Sequence, residues 1–232
     1  MKRNRAGRKA GNRQARRQAI KKHIREAAMK AGKIISFLII TLFGVGLLSS
    51  AAAEAPKEAI TSTVDSVLEV LKDKTLSVPA KKEERRGRLR ALIKDRFDFG
   101  EMAMRTLARH WNARTPEEAR EFIAIFSDLL VGSYIGKIEA YTDEKVIYNK
   151  EVIKGEGNYA SVSTTIVTKK VDIPIDYKVI LKNGKWWVYD VVIEGVSFIS
   201  TYRSQYDEII VRESYAGLLQ QMKKKLDEVN AI

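Results

Sequence analysis

The sequence predicts an α+β domain in which helices gather on one face of a curved, four-stranded antiparallel sheet. Two observations support this prediction. Apolar residues recur every three or four positions over much of residues 56–141 and again over residues 197–229, which is the spacing of amphipathic helices. Between these stretches, from residue 145 to residue 194, the apolar period is two and turn residues recur, which is typical of a β-meander.

The first 53 residues differ in composition from the rest of the chain, which has 232 residues. Residues 1–33 hold thirteen of the 42 basic residues and one of the 29 acidic residues, so nearly all of the net charge of +13 lies there. The apolar run at residues 34–48 is short for a bilayer span and has the length of a signal-peptide core. Ala51 and Ala53 then fit an A-x-A cleavage site. We expect three segments: a basic N-terminal region at 1–33, a signal-peptide core and cleavage region at 34–53, and a mature domain at 54–232.

Two alternatives remain open for the leader. An uncleaved apolar run would be a membrane anchor, and the chain would then be a membrane-anchored interaction domain. Translation starting at Met29 would give a basic stretch of ordinary length before the apolar core. In either case we expect no binding to nucleic acid, because the residues after 33 carry almost no net positive charge for a folded basic face.

The predicted helices before the sheet have clear start signals. Pro56 opens the first helix, since proline has no N–H to leave unpaired there. A polar linker at 74–80 leads to a second helix, and a turn at 97–100 leads to a short third helix. Thr115 and Glu118 have the spacing of a capping box, which predicts a fourth helix reaching about residue 141.

The predicted strands run over about 145–153, 159–169, 171–181 and 185–194. In the third strand apolar and polar residues alternate, so the sheet should have one apolar and one polar face. Gly195 suits the turn at the change from strand spacing to helix spacing, and Ser197 suits the N-cap that follows. Two helices end the chain, at about 197–212 and 215–229.

No residue set has the spacing of a catalytic or metal site. The chain lacks cysteine, and no carboxylate motif accompanies His110, the one histidine of the mature region. Ser197 lacks the second glycine of a nucleophile elbow. Asp190 and Glu194 interrupt an apolar strand not far from Arg203, and we expect a structural ion pair there. We therefore expect no enzyme activity, no cofactor and no metal.

Large apolar side chains are instead abundant in every element of the mature region. Each is most simply a core residue, but helices against a cupped sheet commonly enclose a pocket. The candidate pocket residues are Phe97, Met102, Trp111, Phe122, Phe126, Leu130, Tyr134, Ile173, Ile175, Tyr177, Val179, Trp187, Val192, Val196, Ile199 and Tyr202.

The stretch Val188–Ile210, VYDVVIEGVSFISTYRSQYDEII, resembles the hallmark of the MlaC family, the periplasmic, toluene-tolerance-type auxiliary proteins of ABC phospholipid transporters. Phe97-Asp98-Phe99 and the cap at 115–118 match as well, and the resemblance spans about residues 57–228. It implies an NTF2-like sheet whose concave side, closed by helices, takes acyl chains and leaves the headgroup near the mouth.

The resemblance also implies partners and a location. It implies a periplasmic protein, exported by a cleaved signal peptide, that carries phospholipid as cargo between an inner-membrane ABC transporter complex and an outer-membrane lipoprotein complex. Such a carrier maintains lipid asymmetry, and we expect it to be a monomer. The alternative on the same scaffold is a small-molecule enzyme, which would need a carboxylate and a histidine facing the cavity.

Overall fold

The computed structural model describes residues 54–141 and 144–231. The predictions for the leader therefore lie outside the described residues: the basic region, the apolar core with its cleavage site, and the alternative start at Met29. Over the ranges that are described, no helix is both long and apolar enough to cross a membrane.

In the described part of the chain, four α-helices precede the sheet: α1 (Pro56–Lys72), α2 (Lys82–Arg96), α3 (Phe99–Leu107) and α4 (Pro116–Glu139). Short 3₁₀ helices lie at Pro79–Lys81 and Ala108–Ala113. The chain ends in α5 (Phe198–Glu213) and α6 (Tyr215–Asn230). These bounds match the predicted helices closely, except that Trp111 lies in a 3₁₀ helix rather than in the short α-helix.

Side-chain caps fix several of these helix starts. The hydroxyl of Thr115 accepts a hydrogen bond from the Glu118 N–H at 3.2 Å, and the Glu118 carboxylate accepts one from the Thr115 N–H at 2.9 Å. Asp98 caps α3 by accepting from the Glu101 N–H at 2.8 Å, so the predicted turn at 97–100 is shorter than expected. Ser197 caps α5, as predicted. Such local pairs satisfy N–H groups that would otherwise lack partners.

The strands form one antiparallel meander in the order β1 to β5: β1 (Lys145–Lys154), β2 (Tyr159–Val167), β3 (Asp172–Lys182), β4 (Lys185–Ile193) and β5 (Val196–Ser197). The α+β prediction is confirmed, but in the part of the chain that the structure describes the sheet has five strands rather than four. The added strand has two residues and forms because the chain reverses at Gly195, whose φ of 82° suits a tight turn.

Apolar side chains form two clusters, one among the helices and one on the sheet. The helical cluster consists of the buried residues Phe99, Met102, Ala103, Leu107, Phe122, Ile125, Phe126, Leu129, Leu130, Val131, Ile199, Tyr206, Tyr215, Leu218 and Met222. The sheet cluster consists of the buried residues Ala59, Ile60, Ala160, Val162, Ile175, Val179, Trp186, Val188 and Val191. Phe97 and Phe198 pack against both clusters and so connect them.

A buried carboxylate fixes the corner between β4 and α5. Asp190, whose side chain is 5% exposed, accepts hydrogen bonds from Ser197 Oγ at 2.7 Å and from the Ile199 N–H at 3.1 Å. The expected ion pair is present, but its cation is Lys178, directly opposite Asp190 on β3 and 3.2 Å away. Arg203 instead donates to the main-chain oxygen of Arg105.

Candidate functional site

A cavity of about 640 Å³ lies between the helices and the sheet, within the range of roughly 300–1,000 Å³ that is usual for small-molecule sites. Helices α1 and α4 and strands β1 to β4 supply most of its wall. The helical wall consists of Thr63, Val64, Val67, Leu68, Leu71, Ile93, Phe99, Leu130, Val131, Tyr134, Lys137, Ile138 and Phe198, with Phe97 between α2 and α3 and with Ala140 and Tyr141 following α4. The sheet wall consists of Val146, Ile166, Ile173, Ile175, Tyr177, Val191 and Ile193, with Glu144, Thr168 and Glu194 at the strand ends.

Helix α1 packs against the sheet at its N-terminal end and forms one wall of the cavity further along. Its apolar stripe begins with Ala59 and Ile60, which are 0% and 2% exposed because they touch the sheet. The stripe continues at Val64 and Leu71, which are half-buried and face the cavity. The stripe therefore changes from packed core to cavity wall within a single helix.

Three hydrogen bonds hold the N-terminal half of α1 in place. The buried Arg96 donates from Nε to the hydroxyl of Thr63 at 2.8 Å and from a terminal guanidinium nitrogen to the main-chain oxygen of Trp186 at 3.0 Å. The indole of Trp186 donates to the main-chain oxygen of Glu54 at 2.8 Å. These contacts tie α1 to the end of α2 and to β4.

The charged side chains that line the cavity gather at one end of it. In an antiparallel meander the start of β1 and the ends of β2 and β4 lie at the same end of the sheet, and the C-terminus of α4 reaches this end too. We call this polar end the rim, and its residues are Lys137, Tyr141, Glu144, Thr168 and Glu194. The cavity thus combines an apolar interior with a polar rim.

The interior polar groups are uncharged. Tyr177 lies on β3 in the cavity wall, and burial raises its pKa to about 12, so it is neutral at physiological pH. Tyr134 packs its ring against that of Phe198 with centroids 4.6 Å apart. Such a surface suits an apolar ligand.

Six of the candidate pocket residues line the cavity: Phe97, Leu130, Tyr134, Ile173, Ile175 and Tyr177. The others lie elsewhere. Met102, Phe122, Phe126 and Ile199 are buried in the helical cluster, Trp111 and Tyr202 pack against it, and Val179 is fully buried in the sheet cluster.

Three further candidates lie away from the cavity because of the sheet geometry. On β4 the side chain of Trp186 belongs to the sheet cluster, so Trp187 points to the opposite face, where the ammonium of Lys185 lies 4.4 Å from its ring centroid. Val192 lies on that same opposite face, next to the buried Val191. Val196 is 59% exposed at the corner.

The residues that sequence reasoning missed come mainly from α1. Their helical spacing is visible in the sequence, but it gives the same signal for a packed stripe and for a cavity wall. His110 lies outside the cavity, with Nε2 at 2.7 Å from the Asp207 carboxylate, and this hydrogen bond is the main cause that lowers the pKa of Asp207. The described residues contain no group of three or more acidic or histidine side chains that could hold a metal ion.

Comparison with known proteins identifies the family. The family model described as MlaC protein matches residues 61–224, which is more than half of the chain. This chain belongs to the MlaC family. The resemblance inferred from the sequence is therefore confirmed.

Two known proteins illustrate how far the likeness extends. The intermembrane phospholipid transport system binding protein MlaC of Haemophilus influenzae is 21% identical over 128 residues, which cover 53% of this chain and 60% of that protein. The solved structure of a phospholipid-binding protein from Ralstonia solanacearum, in complex with a phospholipid, superimposes with a TM-score of 0.68 at 23% identity. That match covers 76% of this chain and 99% of the other, and it shows that the two share a fold.

Proposed function

We propose that this MlaC-family protein is a periplasmic phospholipid carrier, exported by a cleaved signal peptide. It takes lipid into the cavity and moves it between an inner-membrane ABC transporter complex and an outer-membrane lipoprotein complex. The observation that supports this most is the cavity itself, which is apolar inside, polar at the rim and about 640 Å³ in volume. The phospholipid named for both relatives points to the same ligand class.

The energetics of lipid transfer explain why such a carrier needs no chemistry of its own. Burying one methylene group stabilises by about 0.8 kcal/mol, so two acyl chains amount to roughly 20 kcal/mol relative to water. Release of lipid into the aqueous periplasm is therefore negligible. Transfer from this cavity to an apolar site in a docked partner can be close to neutral in free energy, and an ATPase partner can supply direction.

The half-buried stripe of α1 supports this assignment. Val64 and Leu71 face the cavity without the close packing that Ala59 and Ile60 have. A hydrocarbon chain in the cavity would complete their burial, so bound lipid should also stabilise the folded protein by mass action.

Filling the cavity tests the proposal. We expect the double variant V64F/V191F, which adds rings from opposite walls, to lose most of the phospholipid that copurifies with the protein. Lipid extraction and mass spectrometry of protein purified from the periplasm give the lipid per protein. Trp187→Ala and His110→Ala serve as controls, because both side chains lie outside the cavity. A folded double variant that keeps its full phospholipid content would refute the cavity as the lipid site.

A further inference from the structure

The cavity has one cationic side chain among its described lining residues, Lys137, near the C-terminal end of α4. Its ammonium lies 4.8 Å from the ring centroid of Tyr134, one turn earlier on the same helix face. A cation at this distance from an aromatic face is attracted to it. The amine is therefore held over a ring that itself lines the cavity.

The surroundings of Lys137 would otherwise repel an anion. The C-terminal end of a helix carries partial negative charge, and the carboxylates of Glu144 and Glu194 also belong to the rim. A phosphate group at this end of the cavity therefore needs a positive partner, and among the described lining residues only Lys137 can supply that charge.

An ion-pair group lies two residues beyond Lys137 on α4. Glu139, between two cavity-lining residues, has a side chain only 9% exposed and is shared by two arginines. Arg85 donates to one carboxylate oxygen at 3.1 Å, and Arg86 donates to the other at 3.0 Å. Because Arg86 also pairs with Glu83 at 3.9 Å, these four charges balance, and Lys137 remains the cation that an anion at the rim can meet.

We propose that Lys137 binds the phosphate of the cargo headgroup, so that the acyl chains run inward along Tyr134 and Leu130. Leu130, Tyr134 and Lys137 lie on one face of α4 and cover about 10 Å of the helix axis. The inference rests on the carrier function proposed above. It adds the residue that recognises the headgroup: through Lys137, lipids with a phosphate next to two acyl chains bind in preference to neutral lipids with the same chains.

A lipid-pickup experiment tests this assignment. The purified protein is incubated with phosphatidylcholine vesicles that contain either fluorescent phosphatidylglycerol or a diacylglycerol with the same label and chains, and the protein-bound fluorescence is measured. Wild-type protein should favour the phospholipid, and Lys137→Met, which keeps the aliphatic length, should reduce that preference about tenfold. Lys137→Arg should keep it. Lys145→Met is the matched control, because this exposed lysine is close to the rim in the chain but does not line the cavity.

Salt gives an independent readout of the charge. The preference of the wild-type protein should shrink as ionic strength rises, because exposed ionic contacts are screened. The Lys137→Met variant should show little salt dependence.

The outcomes separate the two proposals. Equal uptake of both lipids by wild-type protein, or an equal loss of both in Lys137→Met, would overturn the role of Lys137 while leaving the carrier intact. Uptake of neither lipid, by a protein that also carries no copurifying phospholipid, would overturn the carrier function and, with it, the assignment of Lys137. Loss of the phospholipid preference in Lys137→Met together with its retention in Lys137→Arg and Lys145→Met would support both.

Discussion

The helical cluster and the sheet cluster are both apolar and aromatic, but they are packed differently. In the helical cluster the rings of Phe122 and Phe126 stack with centroids 5.9 Å apart, and the ring of Tyr206 meets Phe122 edge-on at 6.0 Å. All three side chains are at most 5% exposed. The sheet cluster is closely packed around Val188 and Val179 but is open towards the cavity at Ile175 and Val191.

This difference shows how a small domain can keep an unfilled interior. The helical cluster provides a rigid frame, and Phe97 and Phe198 join that frame to the sheet. Helix α1 is then fixed to the frame by Arg96. It also lies close to the sheet edge, where the Tyr148 hydroxyl donates to Asp65 at 3.3 Å. These contacts hold α1 at a fixed distance from the sheet. The side chains on the two walls of the cavity therefore do not have to pack against each other.

The largest effect should come from opening a void in the helical cluster. Phe122→Ala should lower the free energy of unfolding by about 3–5 kcal/mol, because a fully buried ring leaves a cavity that its neighbours cannot fill. Val67→Ala in the cavity wall should cost about 1 kcal/mol or less, since the side chain already borders open space. Urea unfolding followed by tryptophan fluorescence measures both. Similar losses for the two variants would contradict the contrast between the clusters.

Local chemistry made most of the fold predictable. The capping pair of Thr115 and Glu118 lies within four residues, so the sequence alone marks the start of α4. The turn residues between the strands are similarly local. Long-range pairing is harder to predict, and the two-residue β5 forms because Val192 and Ile193 are already in place to receive it.

The site was only partly predictable for two physical reasons. An irregularity in the pairing near Lys178 shifts the register, so the pocket-side face of β4 passes from Val188 to Val191 instead of following strict alternation. Alternation along the sequence therefore does not indicate whether Trp186 or Trp187 faces the sheet cluster. Whether an apolar stripe is packed or lines a cavity depends on the spacing between distant elements, which no single stretch of sequence encodes.

A smaller effect should distinguish a crowded from an open face of α4. A Cβ added at Gly132 would lie 2.6 Å from a methyl carbon of Val229, whereas a Cβ at Gly136 would have no neighbour within 4 Å. Gly132→Ala should therefore lower the free energy of unfolding by about 1–2 kcal/mol through overpacking. Gly136→Ala should raise it by up to about 1 kcal/mol through helix propensity. Thermal unfolding of the two variants compares their stabilities directly. Stabilisation by both substitutions would show that α6 moves readily to accommodate the methyl group added at Gly132.

The smallest effect concerns a polar atom inside the helical cluster. Within the described residues, the hydroxyl of Tyr206 is buried without a hydrogen-bond partner, whereas Tyr202, whose ring also meets that of Phe126 edge-on, is only partly buried. Tyr206→Phe removes the desolvation cost of this group and should raise the free energy of unfolding by about 1 kcal/mol. Tyr202→Phe is the matched control and should give no gain, because its hydroxyl is not buried without a partner.

The same pair gives a pH test. Burial raises the pKa of Tyr206 above its usual value, so the folded protein keeps this proton when the unfolded chain has begun to release it. Wild-type stability should therefore fall as pH rises through about 10, the ordinary tyrosine pKa. In Tyr206→Phe that fall should be smaller, and urea unfolding at neutral and alkaline pH measures the difference. If Tyr206→Phe loses as much stability at alkaline pH as the wild-type protein, the loss comes from other buried tyrosines, such as Tyr177 in the cavity wall. A smaller loss in this variant would assign it to Tyr206 in the helical cluster.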